Sequence, residues 1–379
     1  MNRSKPQGSI RHRQRGLSLV ELMIALVLGL VLSAGVFQVF TNSSQTYRLT
    51  DSLSNMQENL RFAVGRLQYE TRMAGYKGCL IGEPFNNLDT AAGDPVYGRL
   101  PVTGWEADAT DIGDAYTNDD FTLANTSLTQ ATVGTALPAD LAGTVLPGSD
   151  VLLVNNATRA NVALTGNPGA NANTIVSDGN TGIPAGKIIM AVTSDCTGGD
   201  IFQKTNAATS ASLTKGSGQS PGNQTPVNNG FNATYDNNAS IYEFTSTAYY
   251  IGRRDANAPP SLYMHRLDAG DPFNAVELVE GVENMQVLYG LTNPGGDTVI
   301  NYVSADNVNN WANVASVRIG LLLRSEDGVQ DEGLVDSDGD GDVDDARTYN
   351  LLGTRITAEV DERARMVGIV TVGIRNRLE

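Results

Sequence analysis

From Leu17 to Phe40 the chain reads LSLVELMIALVLGLVLSAGVFQVF, an apolar run whose one charged residue is Glu21 at its fifth position. At about 1.5 Å of rise per residue this run makes a helix of about 36 Å, enough to cross a hydrocarbon layer of about 30 Å with some tilt. After Phe40 the sequence turns polar, no proline occurs before Pro84, and apolar residues recur at Leu49, Leu53, Met56, Leu60, Val64 and Leu67. Steps of four and three keep these on one face, so the pattern predicts that the helix continues as an amphipathic one to about Met73, with Gly75 as its C-cap. A single helix from Leu17 to Met73 would be about 85 Å long. Its first half (17–40) belongs in a membrane or fibre core, and its second half (41–75) belongs on a head domain. The stripe reads as core packing and not as a cofactor site. Gly29, Ser33 and Gly35 are positions where neighbouring helices could approach closely or where this helix could loosen.

From about residue 80 the composition shifts to Asn, Thr, Ser, Gly and Ala with short apolar runs, the pattern of a loop-rich β head spanning 76–379. Candidate strands are 151–154, 187–192, 241–251, 262–267, 276–289, 314–323 and 366–374. Val317, Ile319, Leu321 and Leu323 alternate with Arg318, Gly320, Leu322 and Arg324, which predicts one buried face and one partly solvated face. Asn257 and Pro259-Pro260 should turn one strand into the next, whereas 277–283 fits a strand or a short helix equally well. Residues 202–240 have almost no large apolar side chains and are expected to form an exposed, disordered or loop-rich insertion. An antiparallel sheet laid on the long helix, an α+β architecture, is the simplest arrangement.

Charge adds an orientation. Arg3, Lys5, Arg11, Arg13 and Arg15 precede the apolar run with no acidic residue among them, so the positive-inside rule puts the start of the chain in the cytoplasm and the head outside. Without residues 1–16 the net charge goes from -16 to -21, since 26 basic residues become 21 against 42 acidic ones. Such a chain offers no basic surface for nucleic acid. A cleaved secretory signal is the competing reading of the start, with small residues at Ser33, Ala34 and Gly35. Glu21 weighs against it, because a carboxylate in lipid is costly and calls for a specific cationic partner. Two histidines and two cysteines exclude four-ligand Cys/His zinc sites, iron–sulfur clusters and CxxC redox chemistry.

The run Gly16-Leu17-Ser18-Leu19-Val20-Glu21 after a basic leader (1–16) resembles the processing signature of type IV prepilins. The resemblance implies cleavage after Gly16 by a prepilin peptidase, methylation of the new amino terminus at Leu17, and neutralisation of a neighbouring subunit's terminal amine by Glu21. Leu17 departs from the Phe common in that family. Further motifs are Gly75-Tyr76-Lys77-Gly78-Cys79, Tyr249-Tyr250-Ile251, Ser261-Leu262-Tyr263, Val276 to Met285, and Ile374-Arg375-Asn376. These resemble the PilW family of minor type IV pilins, and a minor pseudopilin of type II secretion shares similar elements. The resemblance implies a type IV pilin-like fold and a single-pass inner-membrane protein with a periplasmic head that reaches a pilus tip. It also implies a role in priming assembly, and as partners other minor and major pilins, the inner-membrane assembly platform and a tip adhesin.

In an oxidising compartment the lone pair Cys79 and Cys196 reads most simply as a disulfide, the alternative being two reduced, buried thiols. Between Glu326 and Asp345 ten of twenty residues are acidic. Within this loop (326–345) Asp336, Asp338 and Asp340 with Gly341 match the first half of an EF-hand-type calcium loop, and Asp342 and Asp344 could add oxygens. Arg347 stands where the bidentate Glu belongs, so the loop is truncated, and a solvated acidic loop is the alternative. Ca²⁺ is the one candidate cofactor and no organic cofactor is implied. His265 lacks any recognisable nucleophile partner, and no nucleophile elbow, P-loop or dinucleotide fingerprint occurs, so an enzyme is not expected. Two functional classes follow: a minor pilin, or a membrane-anchored, calcium-dependent adhesion module.

Overall fold

A computed structural model of the chain describes residues 18–89, 96, 100–118, 128–129, 137–167, 172–224, 230–267, 275–296, 298–326, 328, 347–359, 361 and 363–377. The chain divides into two compact units, Met1–Asp51 and Ser52–Glu379. The helix Leu19–Met73 runs as one element of 55 residues through the division.

In the first unit the large apolar side chains from Leu19 to Phe40 are all 53–75% exposed. The polar stretch that follows is rich in weak helix formers but stays helical, and its threonine hydroxyls turn back onto the preceding turn. Thr41, Thr46 and Thr50 donate to the carbonyls of Gln38, Asn42 and Thr46 at 2.8–2.9 Å.

In the second unit the amphipathic half of the helix buries Met56, Ala63, Leu67 and Thr71, and Leu60 and Val64 pack against the same core. The helix ends where the sequence predicted. Gly75 has φ +72°, and a Cβ there would meet Pro101 Cγ at 2.8 Å, so this C-cap needs glycine for both conformation and space. Asn376, near the other end of the chain, donates its Nδ2 to the carbonyls of Met73 (3.3 Å) and Ala74 (3.0 Å), satisfying acceptors that the helix terminus leaves open.

The head is mostly antiparallel. A nine-stranded sheet runs in the order Phe85–Asn86, Gly199–Gln203, Ile188–Val192, Ser240–Gly252, Val151–Arg159, Val102–Ala107, Leu128–Thr129, with Ser261–Arg266 and Val276–Glu280 branching from Ser240–Gly252. A four-stranded sheet has the order Val299–Val303, Val282–Thr292, Val314–Arg324, Arg365–Gly373. Two three-stranded sheets complete the described strands, and two of the strand pairings are parallel. The strand Ser240–Gly252 acts as the spine. Its Ile241 and its Tyr242 and Phe244 enter two different clusters, Tyr249 and Ile251 a third, and Ala248 and Tyr250 a fourth. The cluster that includes Tyr249 is the main core, where the helix, the nine-stranded sheet and the four-stranded sheet meet around Leu67, Leu152, Met285 and Ile319.

Three expectations are corrected. First, 276–289 is two strands, because Gly281 at φ +80° turns the chain from the nine-stranded sheet into the four-stranded one. Second, the other face of Val314–Arg324 is covered: Leu322 packs with Leu351 and Ile356, and the Arg318 guanidinium lies 3.9 Å from the centre of the Tyr302 ring. Third, the described part of 202–240 is no exposed insertion. Phe202, Leu213, Tyr235 and Ala239 are buried with Ile189 and Ala191, so a few large side chains spaced through a polar segment are enough to form a core.

Candidate functional site

The processing residues Gly16 and Leu17 lie outside the described residues. Glu21 sits in the first turn of the helix, where Ser18 N donates to its Oε2 at 3.3 Å, and among the described residues no cation pairs with it. Around it stand the exposed Leu19, Val20, Leu22, Ile24 and Leu28. This helix is long and apolar enough to cross a membrane, and none of its apolar window is buried. Chemically the segment is an apolar surface bearing one carboxylate. It can associate with other apolar helices or lipid, and its carboxylate can take a cation that the described residues do not supply.

Cys79 and Cys196 form a disulfide across 117 residues, with their Cα atoms 5.5 Å apart. Ile81 N donates to Cys196 O at 2.8 Å, and Phe85–Asn86 then pairs with Gly199–Gln203, so the covalent link and the strand pairing fix the same juncture after the helix. The aspartates Asp336, Asp338, Asp340, Asp342 and Asp344 lie outside the described residues. Among the described residues no group of three or more His, Cys, Asp or Glu is arranged to hold a metal ion. His265 stands in the strand Ser261–Arg266, where burial pushes its pKa down against the opposing pull of Asp140.

Several charged groups that sequence reasoning passed over are central to the head. Glu283 is buried between two arginines. Arg365 grips it through Nε (2.8 Å) and Nη2 (3.0 Å), and Arg324 Nη1 approaches at 3.5 Å. Asp361 closes the group by accepting from Arg365 at 2.6 and 3.0 Å. Burial works against the Arg365 charge, but the bonds to Glu283 and Asp361 outweigh it and hold the guanidinium protonated. Glu283 lies inside the Val276-to-Met285 motif, which was its only sequence signal.

Asp150 joins the two main sheets. Its Oδ1 accepts from Ala107 N (3.0 Å), its Oδ2 from Val287 N (2.7 Å), and its own N–H donates to Met285 O (2.9 Å). Glu106 is buried beside it, accepting from Thr110 Oγ1 (3.2 Å) and Ala305 N (3.3 Å). Burial pushes both carboxyls up, Glu106 to about 10 and Asp150 to about 8, and for Glu106 the neighbouring Asp150 adds to the rise. The Tyr289 hydroxyl is also buried here, and Gly104 is the residue that leaves room for it. An open groove of about 410 Å³ runs between Arg66, Glu70 and Met73 of the helix and Asn156, Thr245 and Met264 of the sheet.

Residues 11–37 match the prokaryotic N-terminal methylation motif, and residues 248–376 match the model of the type IV pilus-assembly protein W family. The second match takes in the helix-capping Asn376, the Glu283 group and all four strands of the four-stranded sheet. No curated protein and no solved structure matches the chain. Pilin-family matches point to a structural protein and to a membrane-anchoring helix. Lying over the start of the helix and over the four-stranded sheet, the two matches support a PilW-like type IV pilin.

Proposed function

We propose that this chain is a minor pilin that acts by insertion and contact, without catalytic turnover. In this reading a prepilin peptidase cleaves after Gly16, Leu17 is methylated, and Leu19–Phe40 packs among other pilin helices with Glu21 paired to a neighbour's terminal amine. The five basic residues before the run support a cytoplasmic start and a periplasmic head. The head then serves as a non-repeating contact surface that helps prime assembly and takes part in the tip complex with other minor pilins.

The observation that carries this reading is the unsatisfied state of the first unit. Side chains such as Leu26, Leu30 and Phe37, each at least 60% exposed, have no core of their own, and the one carboxylate among them has no described cation. Lipid covers the apolar surface before assembly, but it leaves the carboxylate unpaired. A neighbouring pilin helix whose amine lies at the same depth removes both costs.

The test is amino-terminal sequencing and intact mass of membrane-extracted protein, with and without an active peptidase, followed by the fate of Glu21→Val in sheared surface fibres. The expected results are N-methylated Leu17 only when the peptidase is present, and a Glu21→Val protein that stays in the membrane with its head folded but is missing from fibres. A chain that starts near Gly35, or a Glu21→Val protein found in fibres at wild-type amounts, overturns the reading. If deletion of the gene blocks secretion and leaves pili intact, the same assembly chemistry belongs to a pseudopilus.

A further inference from the structure

The four-stranded sheet ends on one side in Arg365–Gly373, a strand of nine residues that reads RMVGIVTVG. The other strands at the edges of the described sheets have two to five residues. An open edge invites pairing with another chain, and proteins blunt such edges by shortness, bulges, charges or proline. Two of the longer edges here are blunted in this way. The pairing of Val299–Val303 shifts register at Leu291–Thr292, and that of Val276–Glu280 shifts at Leu262–Tyr263 in a strand that also carries Glu277 and Glu280. Arg365–Gly373 has none of these devices. Its nine pairs with Val314–Arg324 run without a shift, it has no proline, and its one charged side chain, Arg365, is turned onto Glu283 and Asp361.

Two bonds at its ends fix which main-chain groups face outward. Ala364 O accepts from Ser325 N at 2.8 Å, and Ile374 N donates to Ala315 O at 2.9 Å, so the even-numbered residues turn toward Val314–Arg324. Successive residues of an antiparallel ladder alternate, so the N–H and C=O groups of Val367, Ile369 and Thr371 point away from it. Among the described residues no backbone group bonds them. Ile369 is 54% exposed, and Thr371 and Gly373 are exposed as well, so the edge is open to solvent. The strand is also held still. Val370 packs against the main core, and a Cβ at Gly368 would collide with Leu60, so the helix sits directly on the strand's inner face. An edge fixed in this way loses little freedom when it binds.

We infer that Arg365–Gly373 is a docking edge, completed by an extended segment of a different polypeptide that adds to the sheet as a fifth strand. Main-chain donors and acceptors at alternate residues are matched by a chain in the extended conformation. The side chains beside the new strand are Val367, Ile369 and Thr371 on one face and Val370 and Val372 on the other. None is charged, so the segment is uncharged and rich in β-branched residues at its centre, where a charge would be left without a partner. A second copy of this chain does not fit the edge. Antiparallel pairing about Ile369 relates two copies by a two-fold axis normal to the sheet. The helix half that lies on the sheet would then run in opposite directions in the two copies, and their apolar runs could not start in one membrane from the same side. The inference rests on the pilin reading above in placing the partner chain in the fibre.

The test is hydrogen exchange of the full chain, read amide by amide, in detergent and in sheared surface fibres. The amides of Val367, Ile369 and Thr371 should exchange freely in detergent and at least about 100-fold more slowly in fibres, while those of Val370 and Val372 are protected in both. Ile369→Pro removes one outward N–H and leaves the inward ladder intact. Its head should stay folded, with Val370 and Val372 still protected, and its amount in fibres should fall about tenfold. Ile369→Thr, which keeps the N–H and a β-branched side chain, should stay near the wild-type amount. Outward amides that exchange equally in both states, or that are already protected in detergent, overturn the inference, and so does Ile369→Pro in fibres at wild-type amounts. The wild-type exchange decides the matter even if Ile369→Pro fails to fold. A wild-type chain missing from fibres overturns the function proposed above and the docking edge together, whereas one present with its outward amides unprotected overturns the docking edge alone.

Discussion

The two halves of the helix Leu19–Met73 treat their apolar side chains differently, exposed in the first and packed into a core in the second, and each region of the chain carries a glutamate that follows the same division. From Leu19 to Phe40 the apolar residues surround the helix, all are exposed, and Glu21 has no described cation. From Met56 onward they form one stripe that packs into a core built from the same chain. In the head that shares this core, Glu283 is enclosed by Arg365 and Arg324. A helix apolar all round is completed by other molecules, and a striped one by its own fold. The carboxylates differ in the same way: the Glu283 ion pair is internal, and Glu21 meets no cation among the described residues.

The largest expected effect is on the internal pair. Glu283→Ala leaves two arginines buried without their acceptor and should cost about 3–5 kcal/mol of head stability. Denaturant unfolding of the full chain in detergent measures it, and a loss under about 1 kcal/mol would mean that Asp361 alone satisfies Arg365. The next effect separates the two halves of the helix directly. Leu67→Ala, at a site with no exposure, should cost about 3–4 kcal/mol. Leu26→Ala, at 60% exposure, should leave head unfolding unchanged within about 0.5 kcal/mol. Equal effects from the two would break the distinction between the halves.

How much of this was legible in the sequence follows the same division. The helix was readable throughout, because periodicity and length are local signals, and its end at Met73 followed from Gly75. The strands 151–154, 187–192, 241–251, 262–267, 314–323 and 366–374 were also readable, because short runs of apolar, β-branched and aromatic residues are local signals whether one face is buried or both. What escaped notice was long-range. Val102–Ala107 reads VTGWEA and looks like a polar loop until Asp150 and Tyr289 are brought against it. Phe202, Leu213 and Tyr235 looked isolated because the cluster that buries them is assembled from distant segments. Glu283 and Asp150 were invisible for a different reason: in a chain with 42 acidic residues, nothing local marks the few that fold inside. The most conspicuous acidic pattern, 336–344, lies outside the described residues.

The disulfide tests whether the region after the helix depends on covalent closure. Cys79→Ser with Cys196→Ser should cost about 2–4 kcal/mol, through the greater freedom of the unfolded loop. The loss should show as earlier unfolding of the region around Gly199–Gln203, while the Glu283 group keeps its protection in hydrogen exchange. Simultaneous loss of protection in both would show that the head is one cooperative unit.

The smallest effect at neutral pH, and the most specific, concerns Glu106 and Asp150. Both carboxyls are held above their ordinary range in the fold, first by burial. The folded protein therefore keeps a proton that the unfolded chain releases above about pH 5. The stability contributed by this pair is complete below that pH and is lost progressively as the pH rises toward the folded pKa values. Wild-type melting temperature should accordingly decline between about pH 5 and pH 9. Glu106→Gln keeps an oxygen for Ala305 N and removes the titration, so the decline should be shallower, with a gain of at least about 1 kcal/mol over wild type at about pH 9. The direction separates this pair from Glu283, which accepts from Arg365 at 2.8 and 3.0 Å, so Glu283→Gln should destabilise the head at pH 9. Parallel pH profiles for wild type and Glu106→Gln would mean that the two buried carboxyls are ionised together in the fold, and that the backbone N–H groups of Ala107, Val287 and Ala305 suffice to hold both charges.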